Sequence, residues 1–304
     1  MLRPRQFCLV LGILAWGGSV YAQQKDCKKQ IVTIAVHDRH GKFVSGLQKG
    51  DFQAKVRGKG TDVLSAAAGA APRVVLVLDV SGSMAWKWGG LQRLSSKLIN
   101  ASPENTQFAL IIFASQVLET VEFGHSRQEV LSAINQFAAI PRTTKRVVRD
   151  SLLNAYNLLQ PAQAGDSILV ATNERDSDSK VSEKTLENKF NAEGIRFFVM
   201  RVIDPPEDTK FLHNELELLS TATAGAEISI ESPNQTEMAT RMADEIAQYY
   251  VLQIALPEPF VKDGSLQLEV MNAEREKRKG VELRFPEKLP ACSALGAYSV
   301  ANSR

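Results

Sequence analysis

The run Arg73-Val-Val-Leu-Val-Leu-Asp-Val-Ser-Gly-Ser-Met84 constrains this chain more than any other stretch. Five consecutive aliphatic residues at 74–78 read as a strand buried on both faces, the habit of a parallel sheet covered by helices on each side. The run then delivers Asp79, Ser81 and Ser83 to one turn. That turn lies at the carboxyl end of the strand, the edge at which open α/β sheets take their ligands. One carboxylate and two hydroxyls are hard oxygen donors of the kind that Mg²⁺, Mn²⁺ and Ca²⁺ accept. Serine and aspartate also serve as turn and helix-cap residues, so it is the strand in front of them that makes this turn a candidate metal site.

Around that strand the patterns alternate. Strands are predicted near 74–78, 108–113, 117–121, 167–172 and 196–202, with helices near 91–100, 127–137, 145–159, 181–193 and 211–223. The alternation predicts a doubly wound, mostly parallel α/β sheet of Rossmann-like type. The short step from Phe113 to Val117 is too tight for a crossover helix and marks one antiparallel hairpin. Alternating apolar positions before this region, and again after a helix at 235–249, predict strands that no helix covers. Packing those flanking strands on each other gives a smaller β-sandwich-like module interrupted by the α/β domain. The chain thus divides into 1–22, a β module at 23–65, a linker of small residues at 66–72, the α/β domain at 73–249, and C-terminal strands with a tail at 250–304.

Residues 1–22 read as a secretory signal peptide. Arg3 and Arg5 precede an apolar segment at 7–16 too short to span a bilayer, and Val20-Tyr21-Ala22 sets small residues before a cut ahead of Gln23. Cys8 lies inside the apolar segment and not at the cut, which argues against a lipid anchor. The expectation is a secreted or periplasmic protein with no membrane span after cleavage. Removing Arg3 and Arg5 from the 36 basic residues leaves 34 against 34 acidic ones. A neutral mature chain gives no reason to expect a nucleic-acid partner. Its two remaining cysteines, Cys27 and Cys292, lie at opposite ends of the predicted β module, and in an exported protein such a pair predicts a disulfide.

The Asp79-x-Ser81-x-Ser83 turn after its strand resembles the metal-ion-dependent adhesion site of the von Willebrand factor type A family. At whole-chain scale the layout resembles the bacterial VWFA-related proteins, a family described from Acidobacteria. The matching pieces are the signal peptide, the opening with Val36, Gly41, Val44, Gly46, Leu47, Asp51 and Phe52, the type A region, and the exit Gln248-Tyr-Tyr-Val-Leu. The resemblance implies a protein ligand that binds through an acidic side chain, and a divalent cation, Mg²⁺ before Mn²⁺ or Ca²⁺. It adds Thr144, or its neighbour Thr143, as a further ligand. It also places Asn173 where the family has an acid, so this site carries one negative charge fewer. Asp176 and Asp178 are the acids near enough in sequence to compensate, or else are simply solvated. An alternative is a scaffold that keeps the fold with a degenerate, metal-free site.

Trp86 and Trp88 follow the motif, either as a contact rim for the partner or as packing on the sheet edge and β module. No catalytic role is expected. The chain has no His-Glu-x-x-His, no Gly-x-Ser-x-Gly and no glycine-rich phosphate loop, and His37, His40, His125 and His213 are remote from the motif in sequence.

Overall fold

The computed structural model describes residues 27–70, 72–82, 84, 87–138, 145–173, 176–201, 215–229, 235–260 and 262–291. The chain begins with β1 (Lys29–Asp38), β2 (Phe52–Val56), β3 (Lys59–Thr61) and β4 (Val63–Ala68). The α/β region runs through β5 (Arg73–Asp79), α1 (Trp88–Ala101), β6 (Gln107–Phe113), β7 (Val117–Val121), α2 (Arg127–Gln136) and α3 (Val148–Leu158). It continues through β8 (Ser167–Thr172), α4 (Glu183–Glu193), β9 (Arg196–Arg201), α5 (Glu215–Ala222), β10 (Glu227–Ser229) and α6 (Gln235–Ala247). Four strands close the described chain: β11 (Tyr250–Ala255), β12 (Gly264–Val270), β13 (Val281–Arg284) and β14 (Lys288–Leu289).

The aliphatic run forms β5, near the centre of a sheet ordered β10-β9-β8-β5-β6-β7. It pairs in parallel with β6 (Val75↔Ala109, Val77↔Ile111) and with β8 (Val75↔Ile168, Val77↔Val170). Val74, Leu76 and Leu78 pack toward α1, α2 and α6, while Val75 and Val77 pack toward α3, α4 and α5. Both faces are therefore dry, and each such side chain contributes about 1.5–3 kcal/mol of burial. On α1 the residues Leu91, Leu94 and Leu98 supply the covering stripe at helical spacing. The predicted hairpin is present, with β7 antiparallel to β6. Strand β10, parallel to β9 at the sheet edge, was not legible in three residues of sequence.

The flanking strands form two four-stranded sheets, β13-β1-β11-β4 and β14-β12-β2-β3. Their inner faces share one core, in which Val32, Ile34 and Val36 of β1 meet Phe52, Ala54 and Val56 of β2, Leu252 and Ile254 of β11, and Leu266 and Leu268 of β12. This is the expected sandwich of N- and C-terminal strands. The outer face of β1 is also covered: Thr33, Ala35 and His37 are buried, and Thr33 Oγ1 donates to Gly194 O at 2.8 Å. The predicted linker at 66–72 needs correction. Ala66, Ala67 and Ala68 belong to β4 and pair with Leu252, Val251 and Tyr250 of β11, so partner strand and tertiary packing override the weak strand preference of alanine. Gly69 follows with its N–H on Tyr249 O at 2.8 Å. A Cβ there would lie 2.2 Å from the Tyr249 ring, so Gly69 lies flat against that ring and admits no larger residue.

Arg196 anchors the end of α6, just before the chain passes into β11. Its fully buried guanidinium donates to Ala224 O (3.1 Å), Ile246 O (3.1 Å) and Glu245 O (2.8 Å). The last two carbonyls lie at the end of α6, where no intrahelical donor remains for them. The guanidinium also stacks over Phe198 and Tyr249, at 4.8 and 5.1 Å from the ring centres. Burial pushes its pKa down to about 10, so it remains charged at neutral pH. Arg196→Leu leaves three buried carbonyls without donors, and we expect a loss of about 3 kcal/mol in urea unfolding. A loss under about 1 kcal/mol would contradict this role.

Candidate functional site

At the end of β5 the chain turns while still covered, with Val80 and Met84 in the core. Asp79 and Ser81 are both buried there. Asp79 Oδ1 accepts the Ser81 N–H at 2.8 Å, an aspartate-centred turn that fixes the carboxylate relative to the backbone. Asp79 Oδ2 accepts from Thr172 Oγ1 at 2.7 Å. Thr172 ends β8, the parallel neighbour of β5, so adjacency in the sheet makes this bond. Burial pushes the Asp79 pKa up, and the opposing pulls come from the Ser81 side chain and N–H, the Thr172 hydroxyl and the Arg146 charge. Ser81 Oγ thus lies near enough to favour the carboxylate, yet it meets hydrogen-bond geometry with no described group.

Asn173 is buried one residue further on, and its Oδ1 accepts from Arg146 Nη1 at 2.9 Å. Arg146 is only 8% exposed. Its backbone is stitched to the loop after β8: Arg146 N donates to Ser177 Oγ (3.0 Å), while Ser177 N and Asp178 N donate to Arg146 O (3.2 and 3.0 Å). The described acids of this loop, Asp176 and Asp178, are spent locally. Asp176 accepts from Arg149 N at 3.0 Å and pairs with its guanidinium at 3.2 Å, whereas Asp178 pairs with Lys145 at 3.3 Å. Neither compensates for Asn173. Sequence reading missed Arg146 because Lys145-Arg146 looks like the start of a helix, which begins only at Val148. The legible signal was an amide in an acid's place beside a loop rich in cations.

Of the predicted ligands, the structure thus brings Asp79, Ser81 and Asn173 to one place, while Ser83, Thr143 and Thr144 lie outside the described residues, as does Trp86. Trp88 corrects the expectation of a partner-binding rim. It is buried in the first turn of α1, donates from Nε1 to Phe137 O at 2.8 Å, and meets the Phe137 ring edge-on at 6.0 Å. A large aromatic with its one polar atom satisfied inside is a core residue.

The described residues supply oxygen donors but little of the negative charge that a resident divalent ion draws on. Both Asp79 oxygens and Asn173 Oδ1 already accept hydrogen bonds. A buried guanidinium stands where the site needs negative charge, and cation affinity follows ligand charge.

A doubly wound sheet with a polar turn at the carboxyl end of its central strand defines an α/β binding module. A family profile described as von Willebrand factor type A domain matches residues 74–241, more than half of the chain, and the chain belongs to that family. Such domains generally mediate protein–protein interaction. No curated protein matches in sequence. Solved structures that resemble the chain include an aerotolerance-related membrane protein from Bacteroides fragilis, at 16% identity over 58% of this chain and 98% of that one, with a TM-score of 0.47. A von Willebrand factor type A protein from Catenulispora acidiphila is 13% identical over 82% of this chain and 75% of that one, TM-score 0.47. Proximal thread matrix protein 1 from the mussel byssus, solved with a zinc-occupied MIDAS motif, is 15% identical over 62% and 49%, TM-score 0.48.

The Thr172 bond to Asp79 stabilises the charged carboxylate more than the protonated form. Thr172→Val therefore raises the Asp79 pKa further, and its cost grows as pH rises through the window that opens. We expect about 1.5–3 kcal/mol near pH 8 and a smaller loss near pH 4, from urea unfolding at both. Equal losses at the two pH values would count against an ionised Asp79.

Proposed function

We propose that this chain is an exported type A protein that binds another protein at the turn following β5. The observation that carries the reading is the burial of Asp79 and Ser81 at the carboxyl edge of the sheet with the Ser81 hydroxyl unspent, the edge where such sheets take ligands. The Ser81 hydroxyl and the Arg146 charge both act on Asp79, and donors of these kinds suit an acidic side chain on the partner. The role is non-catalytic. In support of that, the partners of the described histidines are not residues of the turn: His37 meets Glu245, His40 accepts from Arg39, and His125 meets Glu129.

A second reading keeps a divalent cation, Mg²⁺ before Mn²⁺ or Ca²⁺, with Asp79, Ser81, Ser83, Thr144 and Asn173 as its holders. It is favoured by the Ser81 hydroxyl, an oxygen donor without a described partner. Partner capture from envelope extract, run with wild type and Asp79→Ala in EDTA and in Mg²⁺, tests both. The first reading expects capture that survives EDTA and is lost in Asp79→Ala. Capture that requires Mg²⁺ selects the second, and equal capture by wild type and variant removes the turn from the function.

Export rests on residues 1–22, which lie outside the described residues, and among the described residues no helix is long and apolar enough to cross a membrane. The reading includes a Cys27–Cys292 disulfide. In support of that pairing, Cys27 packs against the sandwich core, and Cys292, outside the described residues, follows β14, which pairs with β12. Closing so long a loop is worth up to about 5 kcal/mol in the chain-entropy model. Mass spectrometry of protein from the envelope should find Gln23 as the first residue and a Cys27–Cys292 peptide pair without reduction. A retained Met1, or two free thiols, would refute the corresponding part.

A further inference from the structure

We infer that Arg146 is the built-in cation of this site, standing in for a divalent ion and holding the Asp79–Asn173 cluster in place without metal. The inference rests on the reading of this turn as a binding site and adds what organises it. Arg146 is more than nine-tenths buried, and its Nη1 reaches Asn173 Oδ1 at 2.9 Å. Its backbone is fixed from both directions by Ser177 and Asp178, and its neighbours anchor the same loop: Arg149 N on Asp176 Oδ2, and Lys180 N and Val181 N on Asp150 Oδ1 at 3.0 Å each. The guanidinium is thus delivered by two interlocked loops, and side-chain drift does not account for its position.

Charge and residue type agree with this placement. Asn173 offers a neutral oxygen that a guanidinium N–H satisfies, whereas a carboxylate at that position would have joined Asp79 in attracting a divalent ion. Burying the Asp79 charge is costly unless polar or opposite charge stays near; Ser81 and Thr172 answer it first, and the Arg146 charge, held next door on Asn173, adds to them. A guanidinium keeps its proton and its planar donors, so the cluster stays organised whatever the ionic composition around it. Arg146 is a positioning residue in this account.

The experiment uses purified mature protein with Mg²⁺ and Mn²⁺ alone as probes. Wild type should show the same melting temperature in EDTA and in Mg²⁺, and should bind Mn²⁺ more weakly than about 1 mM. Arg146→Gln keeps a hydrogen-bonding side chain but removes the charge. It should melt lower in EDTA, recover part of the loss in Mg²⁺, and gain at least about tenfold in Mn²⁺ affinity, which is about 1.4 kcal/mol. Arg146→Lys should behave as wild type in its indifference to metal. A purely structural arginine would leave Arg146→Gln unstable but unresponsive to Mg²⁺, and that result overturns the inference. So does wild-type binding of Mn²⁺ well below 1 mM, which needs no variant to fold. Loss of partner capture with these metal results intact would defeat the binding-site reading and leave the role of Arg146 standing.

Discussion

A slip of one residue in β5 would send Val75 and Val77 into the layer built for Leu76 and Leu78, and the reverse, because side chains alternate strictly along a strand. Both layers are closed by helices, so neither tolerates the exchange. With register fixed on both faces and parallel pairing to β6 and β8, the first residue beyond the aliphatic run has one possible place. Asp79 is that residue. Thr172 arrives beside it because β8 is locked to β5 by the same pairing. The chemistry of the turn thus inherits its geometry from apolar packing several residues away.

The parts of the structure legible in sequence were those in which a long pattern leaves one solution. The aliphatic run, the Phe113–Val117 step and the alternation in β2 and β12 were each sufficient alone. What escaped had no local signal. Three alanines become strand β4 only because β11 lies alongside, and β10 is three residues paired to β9. Trp88 has the composition of an interface anchor, and only the Phe137 carbonyl and ring turn it inward. Arg146 is more instructive still, since its partner Asn173 lies 27 positions away and no spacing within either segment announces the bond. Half of the candidate site was therefore readable as a motif, and the residue that sets its charge was not.

Two buried guanidiniums divide the electrostatic work. Arg196 ends on main-chain carbonyls and aromatic faces, so it repairs a helix terminus and favours no particular chemistry at the surface. Arg146 ends on a side-chain amide beside a carboxylate, so it alters what the edge of the sheet attracts. The same residue type serves architecture in one place and recognition in the other, and the acceptor it meets makes the difference.

The order of strands in the sandwich has a consequence for how such a chain comes into being. Strand β1 lies between β11 and β13, both of which are encoded near the far end of the sequence. A chain emerging from its N-terminus presents β1 long before the two strands that pair with it exist, whereas β5 through α6 are contiguous and have their sheet partners within reach. Contiguous units can assemble during emergence, and distant pairings must wait. Joining ends so far apart costs little more than a shorter closure would, because the entropy of closing a loop rises only logarithmically with its length. Sequence separation thus favours a sandwich that closes around an α/β region whose own partners lie nearer in the chain.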